Sequence, residues 1–418
     1  MNLPSYYEFC CRPRTISGHD AIDRIPEALS ELKSTRPMII TDKGVVGAGL
    51  CDTVIKAMGK IKPAAIADFV PADSEVNIVN QIAGMYRESK CDSIIAVGGG
   101  SPIDTAKGVN ILATYGGNNL MKYTGAGRIT RKLNPFIAIP TTSGTGSEMT
   151  LVAVIADHAN HVKLAFTSYF LLPDYAILDS RMTATLPLAL TAATTMDALT
   201  HACEAYICMS KNPLSDTTAF EAIRLISRNL LNVIKKPRDL EGRLAIANAS
   251  ILAGASFSNS MVGMVHNIGH AIGGACGVPH GVCMSILLPY GLEFNMHRSS
   301  DAIAELLYPL AGAEEFSGTP REKRAERAIE IIRGMNQSLH ELTGGKHARF
   351  LKEVHDWDGN QMVKPDHFDH IIRNAMDDPA QFYNPEDLDY DEYRLVIQCA
   401  YEGIPLDKSR IKISKRKF

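Results

Sequence analysis

Ser93-Ile94-Ile95-Ala96-Val97-Gly98-Gly99-Gly100-Ser101-Pro102 reads as a strand that stops at three glycines and turns into a helix. An unbroken apolar run of this length is the pattern of a strand buried on both faces. Ser101 is a residue type suited to cap a helix, and proline is tolerated in the first helical turn. Glycines let the backbone approach a ligand closely, and the free N–H groups at a helix start favour an anion. A diphosphate suits such a turn; a plain tight strand-to-helix connection is the other reading. The stretch is not GxGxxG, so the usual dinucleotide fingerprint is absent.

The same alternation extends outward. Residues 38–41, 64–69 and 136–139 are short apolar runs that end at polar residues or proline, and each predicts a buried parallel strand. Between them, residues 74–90 place Val76, Ile78, Val79, Ile82 and Met85 on one side of a helix. Strand and helix in repetition predict a doubly wound, Rossmann-like α/β domain. Residues 151–155 and 162–166, separated by 157–161, predict a β-hairpin laid on that sheet. After Leu186-Pro187 the strand signals stop. Residues 189–208, 215–234, 240–258, 282–296 and 325–341 all have helical spacing and length. The expected division is a nucleotide-binding domain over 1–187 and an all-helical domain over 188–418. Residues 312–366, which include the single tryptophan Trp357, are polar and read as an insertion or peripheral helices.

Composition limits the function classes. The 418 residues carry 46 acidic against 43 Lys and Arg, a net charge of −3, which gives no field for gripping nucleic acid or an anionic membrane. Hydrophobic residues make up 45%, too many for general disorder. No run of about 18 uncharged apolar residues exists, so no span of a bilayer is expected. The first ten residues have no basic region followed by an apolar core, so no secretory signal is expected. Nine scattered cysteines without a CxxC pair read as reduced thiols of a cytoplasmic protein.

Two further groups carry chemistry. Pro140-Thr141-Thr142-Ser143-Gly144-Thr145-Gly146-Ser147-Glu148 follows a strand, so its hydroxyls form a polar nest where open α/β sheets bind ligands. Asp42, at the end of another strand, is placed to bond both ribose hydroxyls of an adenosine and to repel a 2′-phosphate, which favours NAD over NADP. A loop aspartate capping Lys43-Gly44 is the plainer reading of the same residue. In the helical half, Asp197 and His201 share a helix face at i, i+4, and His266 and His270 repeat that spacing. His280 follows in Val278-Pro279-His280-Gly281. His158 and His161 lie in more polar surroundings. Four histidines and an aspartate at such spacings suit a divalent Fe or Zn ion better than Mg or Ca.

Taken in order, these motifs resemble the iron-containing (group III) alcohol dehydrogenases: Gly98-Gly99-Gly100-Ser101-Pro102-Ile103-Asp104, the loop 140–148, Met196-Asp197-Ala198-Leu199-Thr200-His201, His266 with His270, and Pro279-His280-Gly281. The likeness runs from about residue 9 to about residue 401. It implies the two-domain architecture shared with dehydroquinate synthases, with Asp197, His201, His266 and His280 as metal ligands. It implies that Gly98, Gly99, Ser101, Asp104, Thr141, Thr142, Thr145 and Ser147 surround NAD, with Asp42 on the adenine ribose and Lys163 near the nicotinamide ribose. His270 matches a histidine beside the metal, a candidate for proton relay or for support of the ligands. Phe257 matches a position that lines the substrate pocket or, in its plainer reading, fills the core. Thr195 stands where the family usually has glycine, and Met284 where asparagine is common. The basic run 408–418 extends past the usual end and reads as a solvated, mobile tail.

The implied reaction is hydride transfer between NAD(H) and a small primary alcohol or aldehyde, by a homodimer or larger homo-oligomer holding Fe2+ or, alternatively, Zn2+. A glycerol or hydroxy-acid dehydrogenase and a dehydroquinate-synthase-like lyase are the alternatives within the same architecture.

Overall fold

The structure is a computed structural model and describes residues 4–158 and 162–413. It divides into two compact units. One holds Cys10–Leu186 together with Arg238–Ser258; the other holds the N-terminal residues up to Phe9, Pro187–Pro237 and the chain from Asn259 onward.

The first unit is built on a six-stranded parallel sheet. Its strands are β1 (Arg14–Gly18), β2 (Pro37–Ile40), β3 (Ala65–Ala67), β4 (Ser93–Gly98), β6 (Phe136–Pro140) and β9 (Tyr175–Asp179), in the spatial order β1-β9-β6-β4-β2-β3. Apolar side chains leave both faces. Ile40, Ile94, Ala96 and Ala138 enter one layer, while Ile39, Ile95, Val97, Ile137 and Ile139 enter the other. Burial on both sides is why these strands read as continuous apolar runs and not as alternating ones. The first layer is completed by helices α1 (Val76–Glu88) and α2 (Gly100–Tyr115). Two strands of the main sheet, β1 and β9, lie outside the sequence expectation, although Tyr175–Asp179 is buried throughout. β1 is short and largely exposed, and its Arg14-Thr15-Ile16-Ser17-Gly18 becomes a strand through pairing with β9.

The predicted hairpin forms from β7 (Val152–Asp157) and β8 (Val162–Thr167), paired antiparallel. It does not extend the main sheet. With β5 (Gly125–Ala126) it makes a separate three-stranded sheet whose Ala153, Ile155, Leu164 and Phe166 pack into the layer of α1 and α2. His161 lies outside the described residues. His158 is exposed, with its Nε2 3.5 Å from Glu75 Oε1.

The second unit is helical. Its main elements are α3 (Leu188–Ile207), α4 (Pro213–Lys235), α6 (Met264–Cys276), α7 (His280–Phe294) and α8 (Arg324–Leu342). α4 starts in a reciprocal cap between Asn212 and Ser215. The polar region 312–366 is not peripheral. α8 buries Ala328, Ile332 and Leu339, and Leu351, Val354 and Val363 share a core with Ile268, Ile272 and Leu287 of α6 and α7. A few apolar residues at helical spacing suffice for this, and the polar majority lies outside. Trp357 is fully exposed. In the basic run expected to be mobile, Lys408 pairs with Glu326 and Lys412 with Asp389; residues 414–418 lie outside the described residues. Among the described residues, no helix is long and apolar enough to cross a membrane.

The intervening helix α5 (Leu240–Ser258) belongs to the first unit. Its Ala247, Ile251 and Ala255 pack on Ala176 and Leu178 of β9 and on Met149. The approach is close: a Cβ on Gly254 would lie 2.9 Å from the Gly146 carbonyl oxygen and 3.1 Å from its Cα. Gly146 itself has φ +60°, a conformation that only glycine adopts at no cost. Glycine to alanine inside a helix ordinarily stabilises by up to about 1 kcal/mol. Gly84 in α1, whose added Cβ would meet nothing within 4 Å, is expected to follow that rule. Gly254→Ala is expected to reverse it and to lower the melting temperature, with a cost of about 1–3 kcal/mol from overpacking. Thermal melts of both variants check the opposite signs.

Candidate functional site

On α3 the residues Asp197, His201 and Glu204 recur at i, i+4 and i+7, a single stripe along one helix face. All three are buried. Pro187 ends the preceding segment and stands just before the first turn of α3. α7 begins at His280 itself, and a Cβ on Gly281 would lie 2.6 Å from the Ala193 carbonyl oxygen. Glycine at that position lets α7 approach α3 closely enough for His280 Nε2 to lie 3.3 Å from Asp197 Oδ1. His266 Nε2 and His201 Nδ1 lie 3.7 and 3.8 Å from the same oxygen. The His201 and His266 rings stack with centroids 4.4 Å apart.

Glu204 was not singled out from the sequence, and it is what aims His266. One carboxylate oxygen accepts the Val265 backbone N–H at 2.7 Å, satisfying a donor of the first turn of α6. The other lies 2.5 Å from His266 Nδ1. With Nδ1 taken, Nε2 faces the cluster. The i, i+4, i+7 spacing of Asp197, His201 and Glu204 was the available signal.

The electrostatics suit a cation. Burial pushes His201 down to about 3, so its imidazole is neutral at ordinary pH. Burial and the neighbouring His280 likewise hold His266 well below its usual value. Burial opposes ionisation of Asp197, yet His201, His280 and His266 together outweigh it, and its carboxyl lies well below the usual range. Asp197 Oδ1 and His266 Nε2 are buried and make no hydrogen bond among the described residues. Buried polar atoms of this kind are costly unless something pairs with them. Asp197, His201 and His266 present ligand atoms within 4.8 Å of one another. One carboxylate with neutral imidazoles is a donor set for a divalent first-row metal.

His270 lies on the open side of the cluster. Its ring stacks on His280 with centroids 5.4 Å apart and meets His266 edge-on at 5.8 Å. Its side chain is 46% exposed, and its Nδ1 lies 2.8 Å from Asp378 Oδ2. Asp378, 108 residues downstream, also accepts the Ala380 N–H at 2.8 Å. No local pattern in the sequence pointed to it.

In the first unit, β4 and β6 pair in register Gly98 to Pro140, so the glycine turn and the hydroxyl-rich loop lie side by side at the carboxyl ends of adjacent strands. The Thr141 N–H donates to the Gly98 carbonyl at 3.0 Å. Added Cβ atoms on Gly99 and Gly100 would lie 3.0 Å from side-chain atoms of Thr142 and Thr145 respectively, so the two loops pack closely where the glycines stand. α2 starts at Gly100 with Gly99 as its N-terminal flank. Ser101 is therefore not the cap: it lies one residue inside the helix, and its hydroxyl donates to the Ala72 carbonyl. The first backbone N–H groups of α2 are left without a side-chain cap, as an anion site requires. Asp42 ends the neighbouring strand β2 and accepts the Val45 N–H at 2.8 Å as the cap of a short helix. Both oxygens of Asp104 are engaged, by Ser147 Oγ and the Val154 N–H. Lys163 is exposed, 3.5 Å from Asp73. Phe257 is half-buried near the end of α5.

Comparison with known proteins agrees with both halves. Residues 13–180 match the family model described as "Iron-containing alcohol dehydrogenase", and residues 191–401 match "Fe-containing alcohol dehydrogenase family, C-terminal". The chain is 37% identical over 360 residues to the 1,3-propanediol dehydrogenase of Klebsiella pneumoniae, covering 83% of this chain and 92% of that one. It is 32% identical over 383 residues to the NAD-dependent methanol dehydrogenase of Bacillus methanolicus, covering 90% and 95%. A crystal structure of a 1,3-propanediol oxidoreductase superposes with a TM-score of 0.88 at 32% identity, covering 95% of this chain and all of that one.

The role of Glu204 is open to a direct check. In Glu204→Gln the remaining oxygen still accepts the Val265 N–H, but the amide turns an N–H toward His266 Nδ1 and favours the tautomer protonated on Nε2. Metal affinity is expected to fall about 10–100-fold with the fold intact, measured by competition against a chelator with circular dichroism as the control.

Proposed function

Because the chain belongs to the iron-containing alcohol dehydrogenase family, we propose that it catalyses reversible hydride transfer between NAD(H) and a small primary alcohol or aldehyde. One observation carries the reading: Asp197, His201, His266 and His280 converge on a point where buried Asp197 Oδ1 and His266 Nε2 make no hydrogen bond among the described residues. These four residues would hold one divalent ion, Fe2+ by family membership, although the donor types suit Zn2+ as well. Such an ion supplies Lewis acidity that lowers the pKa of an alcohol and polarises an aldehyde. NAD supplies the hydride acceptor.

The residues of the chain do the rest. Asp197 contributes the negative charge of the ligand set, and burial keeps His201 neutral so that its lone pair is available. Glu204 holds His266 in the orientation that faces the cluster. With its Nδ1–H donated to Asp378, His270 presents Nε2 as the accepting nitrogen, and it takes up the alcohol proton directly or through water. In the first unit, the backbone of Gly98 and Gly99, with Ser101, binds the diphosphate at the start of α2. Thr141, Thr142, Thr145 and Ser147 bind the nicotinamide half from the adjacent loop. Asp42 receives the adenine ribose, and its carboxylate is the reason for proposing NAD over NADP. Lys163 contacts the nicotinamide ribose, and Phe257 lines the substrate pocket. Nine free thiols suit a reducing, cytoplasmic setting, and a homodimer is the assembly that family membership suggests.

Anaerobic loading with Fe2+, followed by a panel of short alcohols and diols with NADH formation as the readout, tests the reaction. His266→Ala is expected to lose both metal and NAD-linked oxidation; full activity in that metal-free variant would refute the reading. Asp378→Asn is expected to keep its metal and lose about 10–100-fold in kcat, the scale of a misoriented general base. Unchanged kcat would remove His270 from the proton path.

A further inference from the structure

Lys107 is the anomaly of the first unit. It lies in the second turn of α2, its side chain is 0% exposed, and lysine is almost never fully buried unless paired. Its ammonium shares three N–H donors among four acceptors: Ser147 Oγ at 3.1 Å, the carbonyl and hydroxyl oxygens of Thr150, both at 3.0 Å, and the Val152 carbonyl at 2.6 Å. Asp104, three residues earlier on the same helix, lies 3.8 Å away. Its Oδ1 accepts from Ser147 Oγ at 2.5 Å and its Oδ2 from the Val154 N–H at 2.9 Å. These two side chains therefore join the helix that begins at the glycine turn to the hydroxyl-rich loop and to the first strand of the hairpin.

We propose that the Lys107–Asp104 pair is the positioning element of the cofactor site, holding loop 145–152 and the hairpin in register with the glycine turn. The inference rests on the NAD reading above. Displacement of Ser147 would pass to Thr145, whose hydroxyl accepts the Ser147 N–H at 3.2 Å. Displacement of β7 would pass to Lys163, which stands opposite Ala156 in the antiparallel ladder. Asp104 acts here through the loop, each of its oxygens accepting one bond within the protein.

Stability alone does not explain the arrangement. Buried ion pairs are frequently replaceable by apolar side chains of similar volume at no net cost, whereas removing one partner leaves a buried charge uncompensated. What an apolar replacement cannot reproduce is the convergence of several directional bonds on residues 147, 150 and 152. Burial lowers the Lys107 pKa to about 8, against the pull of Asp104 and Glu148. Glu148 is buried in the same loop and is itself raised to about 7 by burial.

The test compares wild type, Lys107→Met and Asp104→Asn/Lys107→Met. The double variant removes both members of the pair, leaving Glu148 as the buried acid of the loop, and keeps the question open to measurement if the single variant fails to fold. NAD affinity by calorimetry is expected to weaken about tenfold or more, the equivalent of one or two lost hydrogen bonds. Metal content is expected to be unchanged, and kcat at saturating NAD to fall less than the affinity does. Wild-type affinity for NAD in either folded variant would overturn the proposal. So would a parallel loss of metal, kcat and melting temperature, which marks a merely structural residue. If the wild-type protein itself binds no NAD(H), the cofactor reading fails and the proposal falls with it; wild-type binding with unaltered variants defeats the positioning role alone.

Discussion

A carboxylate taken out of water needs charge or donors, and Asp197 Oδ1, which makes no hydrogen bond among the described residues, is ringed by three imidazoles carried by three helices of the second unit. That requirement shapes the unit around it. α3 supplies Asp197 and His201, α6 supplies His266, and α7 starts at His280. Gly281 permits the close approach of α7 to α3, and Glu204 ties the first turn of α6 to α3 while aiming His266. These supports fix where each donor stands, and ligand geometry is sensitive to fractions of an ångström.

The first unit meets the same constraint in a different way. Its sheet is apolar on both faces, so polar chemistry is confined to the carboxyl edge, where Asp42, the glycine turn and the hydroxyl-rich loop follow adjacent strands. Beneath that edge lies a single buried ammonium. A cation so placed has to be surrounded by acceptors, and those available are the loop and strand that carry the proposed cofactor contacts. The two units therefore share a principle: a costly buried charge is retained where its partners must be held in place.

The strands around β4, the helices of the second half and the metal-ligand residues were legible because each rests on a local pattern. Unbroken apolar runs mark strands covered on both faces, and i, i+4 pairs mark one side of a helix. Of the missed strands, β9 has such a run in Tyr175-Ala176-Ile177-Leu178 and was passed over, whereas β1 has none. β1 is polar and exposed, and it is a strand because β9 pairs with it. The assignment of Ser101 as a cap missed by two residues because Gly99 fills that position, leaving the serine hydroxyl to bond Ala72.

By itself the sequence determined most of the buried strands and the long helices, which residue types can bind a diphosphate or a transition metal, and the family to which those motifs point. All of these depend on neighbours a few residues apart, where backbone geometry dictates spacing. The tertiary structure alone decided that α5 returns to the first unit, that Asp378 meets His270, that Glu204 aims His266, and that Lys107 is buried beneath the loop. Each of these joins residues distant in the chain, and only the packing of whole helices and strands brings them within hydrogen-bonding range.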